Sequence, residues 1–546
     1  MLSSISLGAT AASYDVIELP TQTLASNQFA NSIDNTGLML LTLTRPYNPP
    51  IDLSLLDITL FPLTDPDAAA QGDFNLTDYT LLASFVYTES ARTTTPINTV
   101  SQKLATNVAF QTDGTDTSFV SGFDSFSEEL SSFSFASETQ IGKSVNGTHI
   151  VGAMEGPFST LEYINEDGEG VTYNINSFSS RGFVQVGDNV TELLPENTDA
   201  GGYSRAYSIN EGLMVAGVSS IGFSDAINNV IANCVDDEVR GDEPVEVCLY
   251  RFRKASGSNI ISSAQRRAVV WQVDANGEVL DKTVYGLAFE PEADATNLFA
   301  STATDINDAG VAVGSSSVPI STTFTDAAVA FENGEVIRLI EDDDSLPNIA
   351  TGINNNNIVI GYRGERINGV TRTKMFVFNR NSGEVSYPDG FFVSSSNIPR
   401  AMNNNNLVVG EAEIDSDTGT RRRNGFLYDI DNDTFTNLND LLPCDSPYSI
   451  IGANDINDNN EILAEALLPV PARSLDGEIF LNDSGEQTLI DSVVAVKLDP
   501  TGQEPSDCDL SEEEQTQQER QGAGVSLVSI FGLFVLSFLR IRRSKK

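Results

Sequence analysis

Short apolar runs, each bounded by Asn, Asp or Gly, follow one another along almost the whole chain, a pattern that predicts short strands joined by tight turns. The clearest are Ile358-Val359-Ile360-Gly361 and Leu407-Val408-Val409-Gly410, rich in the β-branched residues that pack on a pleated surface. Their closing glycines predict close sheet approach. Ahead of them stand Asn354 to Asn357 and Asn403 to Asn406, residue types that enter the left-handed backbone region readily and so predict hairpin turns. A second pair of runs follows: Phe376-Val377-Phe378 with the turn Asn381-Ser382-Gly383, and Gly425-Phe426-Leu427-Tyr428 with the turn Asp431-Asn432-Asp433. Each unit therefore predicts four short strands.

The unit opens on an apolar residue followed by Asn or Asp, and this opening recurs at Ile33-Asp34, Val145-Asn146, Ile209-Asn210, Ile306-Asn307, Ile353-Asn354, Met402-Asn403 and Ile456-Asn457. The seven starts lie 112, 64, 97, 47, 49 and 54 residues apart, so the C-terminal half keeps a period near fifty and the N-terminal half carries insertions or eroded copies. Four strands per fifty-residue unit predict an all-β fold, a β-propeller of seven four-stranded blades over residues 14–500. The rival is a linear solenoid, whose coils usually run about 20 to 30 residues and need capping units. A ring closes instead by lending a strand, here Tyr14 to Leu19, to the last blade.

At these residues the chain resembles the HAF-type bacterial extracellular repeat, which follows Ile-Asn with Val-Val-Gly and then His-Ala-Phe-x-Trp. Arg267-Ala268-Val269-Val270-Trp271 is the nearest copy of the last element, with Gly182-Phe183-Val184 and Gly425-Phe426-Leu427 weaker, and the repeat's histidine is missing from all three. The likeness covers roughly residues 30 to 500 and implies a secreted gammaproteobacterial protein of a family of unknown function, with no activity attached.

The two ends read as export signals. Residues 1–13 form a small apolar segment in which Ala9-Thr10-Ala11 fits the pattern ahead of a signal-peptidase cut, without the charged region that usually precedes it; a buried first strand is the other reading. Residues 501–523, with Glu512 to Glu514 and several glutamines, read as an acidic disordered linker. Residues 524–546 then hold an uncharged apolar run of 15 residues, Val525 to Leu539, followed by Arg540, Arg542, Arg543, Lys545 and Lys546. That predicts one C-terminal transmembrane helix, short of the ~20 residues that span without tilt, with its basic end in the cytoplasm and the bulk of the chain outside. The tail resembles the GlyGly-CTERM sorting signal, with Gly522-Ala523-Gly524 where that family carries consecutive glycines. The resemblance implies an inner-membrane precursor cut by a rhombosortase-type protease and passed to the type II secretion machinery, reaching the cell surface or medium. A retained single-span anchor is the alternative.

Charge and chemistry narrow the function. With 77 acidic against 31 basic residues the net charge is −46, which repels nucleic acid and anionic lipid and suits a salt-rich medium. One histidine, His149, leaves no multi-histidine metal site, and its place at the start of a strand makes it a sheet residue. Four cysteines suit two staples on a large exported domain: Cys234 and Cys248 bracket an acidic loop, while Cys444 and Cys508 would pin the C-terminal segment back if paired, metal ligation or free thiols being the alternatives. Asp429, Asp431 and Asp433 alternate like the start of a calcium loop, with Asn437 and Asp440 following, but Thr434 replaces the usual glycine and a plain hairpin explains the same residues. No other cofactor is indicated. The reading is an exported binding or scaffold module with an unidentified extracellular ligand. A secreted carboxylate-dependent hydrolase and a structural surface component are the alternatives.

Overall fold

The computed structural model describes residues 13–91, 102–128, 130–256, 262–292, 295–320, 323–340, 346–415, 421–482 and 484–505. They form a closed ring of seven four-stranded antiparallel blades, the architecture that the repeat predicts. Two two-stranded hairpins lie outside the blades.

Blade five shows how the repeat sequence makes a blade. Its strands are Asn348–Ile353, Ile358–Ile367, Val370–Asn379 and Glu384–Ser386, running from the channel to the rim. The Asn354 to Asn357 turn joins the first two, with Asn357 at φ 61°, the left-handed position that asparagine tolerates. The closing glycines have a steric cause. A Cβ on Gly361 would run into the carbonyl oxygen of Ile349 and lie 2.5 Å from Cζ of the Phe376 ring, and one on Gly410 would meet the Ile398 carbonyl and stand 2.8 Å from Cε1 of Phe426. Both rings belong to the third strand and are fully buried, as are Phe183, Trp271 and Phe331 on the third strands of other blades. The glycine thus gives room to the aromatic that fills the space between blades.

The core is divided among the blade interfaces, one apolar cluster to each. Val313 and Ala328 of blade four meet Val359 and Phe376 of blade five, and Ile360 and Val377 of blade five meet Val408 and Phe426 of blade six. The circle closes where Ile33 and Leu41 of blade one pack with Leu463 and Ala495 of blade seven. The closing strand is Tyr14–Glu18, the rim strand of blade seven, paired antiparallel with Leu489–Pro500 so that Tyr14 stands opposite Pro500.

The irregular spacing of the first three repeats comes from insertions, not from lost copies. Blade one opens between Met39–Thr44 and Asn107–Thr112 to admit helices Pro66–Ala69 and Leu76–Ala91. Blade two admits the hairpin Ser159–Ile164 with Gly170–Ile175, and blade three admits helices Asp225–Val235, Asp237–Arg240 and Val245–Ser256. Blade seven carries a longer link between Ile462–Pro471 and Leu489–Pro500. All four lie between a blade's second and third strands, so they leave the ring from one face; the Ile-Asn turns join first to second strands and occupy the other.

Among the described residues no helix is long and apolar enough to cross a membrane. The predicted transmembrane run, Gly522, Gly524, the basic residues from Arg540, the N-terminal segment 1–12 and Cys508 lie outside the described residues.

Candidate functional site: the channel and its two mouths

At the repeat-turn mouth the asparagine of each of blades three to seven works twice. Its Oδ1 accepts from its own turn, as when Ile358 N–H donates to Asn354 at 3.0 Å. Its amide nitrogen donates to the main-chain carbonyl of the next repeat asparagine. Asn210 donates to Asn307 at 2.7 Å, Asn307 to Asn354 at 3.2 Å, Asn354 to Asn403 at 3.1 Å, Asn403 to Asn457 at 2.9 Å, and Asn457 to Asp34 at 3.0 Å. One residue further on, a second belt runs in parallel: the main-chain N–H groups of Asp308, Asn355, Asn404 and Asp458 donate to the side chains of Asn355, Asn404, Asp458 and Asn35. A carboxylate cannot donate, and blade one carries Asp34. There the polarity reverses, and Asp34 Oδ2 accepts from Gly147 N–H of blade two at 2.7 Å. The repeat asparagine is therefore a blade-to-blade tie, a role that hairpin reasoning from sequence did not supply.

Below the belt three charges meet in a polar cavity of about 150 Å³. Asp305 of blade four accepts from Lys143 Nζ of blade two at 3.2 Å, from Ser208 Oγ at 2.7 Å and from Ile353 N–H at 3.0 Å. Asp455 of blade seven accepts from Ile33 N–H at 2.9 Å. Burial pushes the Asp455 carboxyl above the ordinary range against the pull of Lys143. Burial also opposes the Lys143 ammonium, but Asp305 and Asp455 outweigh it and hold its pKa above that of an ordinary lysine. The group joins blades across the ring.

A second cavity, about 320 Å³, opens in the channel wall where blades six, seven and one meet. Arg400, Glu411, Asn454, Glu465 and Asn31 supply its polar lining, and Gly452 and Ala30 its small residues. Glu411 is paired with Arg400 at 2.8 Å and Arg423 at 3.1 Å, while Glu465 accepts from Asn454 Nδ2 at 3.0 Å.

At the opposite mouth a buried ion cluster ties three insertions. Glu155, at the root of the blade-two hairpin, lies 3.3 Å from Lys103 of the blade-one insertion and 3.1 Å from Lys254 of the blade-three helices, and accepts from Asn176 at 2.9 Å. Lys103 also sits 4.3 Å from the Phe158 ring centroid. Burial lowers the Lys103 ammonium to about 8 despite Glu155, whereas the carboxylate of Glu155, itself opposed by burial, is held below its ordinary pKa by the two lysines. The Cys234–Cys248 disulfide, expected from spacing, links two of these helices with Cα atoms 5.6 Å apart. Cys444 is disulfide-bonded to a partner outside the described residues.

The five residues considered for calcium form a capped turn and the segment after it. Asp429 accepts from Asp431 N–H at 3.0 Å and Asn432 N–H at 3.1 Å, Asp431 from Asn406 at 3.1 Å, and Asp433, at φ 49°, from Tyr428 at 2.9 Å. Asn437 caps the short 3-10 turn that contains Asp440, whose carboxyl burial pushes up. Among the described residues no group of three or more His, Cys, Asp or Glu side chains is placed to hold a metal ion. His149 is buried in the second strand of blade two, its Nδ1 2.9 Å from Thr148 Oγ1.

Structures similar to this chain include an acylaminoacyl peptidase from Pyrococcus horikoshii, at 12% identity and TM-score 0.35, with 87% of this chain and 54% of the peptidase covered. TolB from Acinetobacter baumannii follows at 12% and 0.27, with 66% and 64% covered, and the tricorn protease at 10% and 0.23, with 71% and 41% covered. The chain thus spans less than two thirds of each. No curated protein sequence matches it. Over residues 1–544 the chain matches the model described as "Protein of unknown function (DUF3466)", and it belongs to that family.

Proposed function

We propose that this DUF3466 protein is an exported propeller that binds an extracellular partner through its insertion face, the turn belt serving to hold the ring rigid. The observation that carries the reading is the distribution of exposed apolar side chains. Leu60 at 73% exposed and Leu76 belong to the blade-one insertion, Ile164 at 72% to the blade-two hairpin, Val235 and Val239 to the blade-three helices, and Phe480 and Leu481 to the blade-seven link. The turn belt itself presents asparagine and aspartate, and the exposed Val279, Leu280 and Val385 on that side stand on outer fourth strands. Apolar side chains gathered on one rim of a rigid scaffold mark an interaction surface. The resemblance of the C-terminal residues to a sorting signal, the Cys234–Cys248 bridge and the acidic composition support export, followed by release or retention at the cell surface.

Photo-crosslinking side chains placed at Ile164 and Leu481 test the face, with Asp188 and Asn276 on the belt side as comparison. Crosslinks from the insertion positions alone support the reading; equal yields from both faces, or none from either, defeat it. External protease applied to intact cells tests the location, and a product shielded from it in the cytoplasm refutes export.

A further inference from the structure

We infer that the wall cavity between blades six, seven and one is a binding site for a small hydroxylated molecule carrying one primary ammonium, of the size of an amino sugar. The site is distinct from the insertion face and does not depend on it.

The cavity exists because blade seven is built differently at this point. The innermost strands of the other six blades each contain one register shift, whereas Ser449–Ile456 contains two, at Ile450/Gly452 and Ala453/Asp455. The extra irregularity falls on a glycine. A Cβ built on Gly452 would meet nothing nearer than Asn454 Oδ1 and Glu465 Oε2, both at 3.9 Å, so no close backbone contact demands a glycine here, unlike at Gly361 and Gly410. Its lack of a side chain leaves a gap in the wall, and through it the second-strand carboxylate of Glu465 lines the cavity.

The lining chooses the ligand. Glu411 is already matched by two guanidinium groups, Arg400 and Arg423. Glu465 has the amide of Asn454 and, among the described residues, no ion pair. Its burial and the neighbouring Glu411 work against the carboxylate, and Asn454, Arg400 and the Ala30 main chain offset that only partly. A ligand ammonium beside Glu465 supplies the missing counter-charge, while Asn31 and Arg400 offer hydrogen bonds to hydroxyl groups. An anionic ligand would face both glutamates. A calcium ion needs six to eight oxygen ligands, more than one carboxylate without an ion pair and the amide carbonyls supply. The volume, about 320 Å³, is at the small end of ligand pockets and fits a monosaccharide.

Calorimetry on the whole protein at neutral pH, in a buffer free of amines, tests the site with glucosamine, ethanolamine and glucose as probes. Glucosamine is expected to saturate a single site and glucose to bind at least tenfold more weakly. Glu465→Gln is expected to weaken glucosamine at least tenfold, and Gly452→Leu to abolish binding by filling the gap while the melting temperature stays within a few degrees. Should the leucine variant not fold, Gly452→Ala, whose Cβ has room, is expected to weaken glucosamine severalfold. The inference is overturned if no probe amine binds, if glucose binds as well as glucosamine, or if folded variants at both positions bind like the parent.

Discussion

The side-chain amide of Asn354 donates across a blade boundary to the main-chain carbonyl of Asn403, 3.1 Å away, while its own oxygen receives the N–H of Ile358 at 3.0 Å. Asn354→Asp keeps the size and the acceptor but loses the donor, and leaves the buried carbonyl of Asn403 facing a carboxylate. Unfolding in denaturant is expected to show a loss of about 1–3 kcal/mol, the cost of an unsatisfied buried polar group. Asn354→Ala, which also uncaps the turn, is expected to lose more.

Gly410→Ala tests the packing rule of the repeat. The new methyl group meets the Ile398 carbonyl and the Phe426 ring at once. A cost of about 1–3 kcal/mol is expected for overpacking. Combining it with Phe426→Leu relieves the ring contact but not the carbonyl contact, so thermal melts are expected to show incomplete rescue. Full rescue would mean that the ring alone requires the glycine.

The ion cluster on the insertion face predicts a pH dependence with a definite sign. The folded state holds the Glu155 pKa below its ordinary value of 4.5, so its contribution is present above that value and is lost as the pH falls through the lowered one. Glu155→Gln is expected to destabilise the insertions by about 3 kcal/mol at pH 7, because Lys103 and Lys254 lose their buried partner. The difference from the parent is expected to shrink toward zero in acid. Hydrogen exchange over residues 225–256 at pH 7 and pH 3 reads both effects.

Replacing both Cys234 and Cys248 by serine frees a loop of about 15 residues, for which chain entropy sets a cost of about 3 kcal/mol. The bridge lies within the inserted helices, away from the inter-blade clusters. Amides of helices 225–235 and 245–256 are therefore expected to lose protection while the main melting transition stays in place. A parallel drop in that transition would show that the insertion helps hold the ring.

Much of this structure could be read from the residues. The Ile-Asn starts mark the ends of the seven innermost strands, the Gly-closed runs are second strands, and Tyr14 to Glu18 is the closing strand, because turn chemistry and alternation are local signals. The insertions appeared as uneven spacing and, in blade three, as a loop bracketed by Cys234 and Cys248 that the structure shows as helices. Helix Leu76–Ala91 has little amphipathic contrast, its buried Tyr79, Leu82, Ala83 and Val86 being packed by neighbouring insertion residues that no period announces. The belt was legible as asparagine without a purpose, since its donors reach residues 47 to 97 positions away, and 423 where the ring closes. The wall cavity could not be read at all. It depends on a second bulge in one strand, and Gly452 carries no mark that separates it from the packing glycines.

The seam of the ring has an orientation built into it. Tyr14 lies opposite Pro500, and Ser13 Oγ and Thr501 Oγ1 are 2.5 Å apart, so both chain ends of the described ring sit together on the outer edge of blade seven. Strand Leu489–Pro500 starts beside the inserted segments and finishes level with the Ile-Asn turns. Residues 501–505 therefore lie on the undecorated side. Fastened to a surface by that end, the disc would turn its helices and hairpins away from its attachment, toward whatever approaches from beyond.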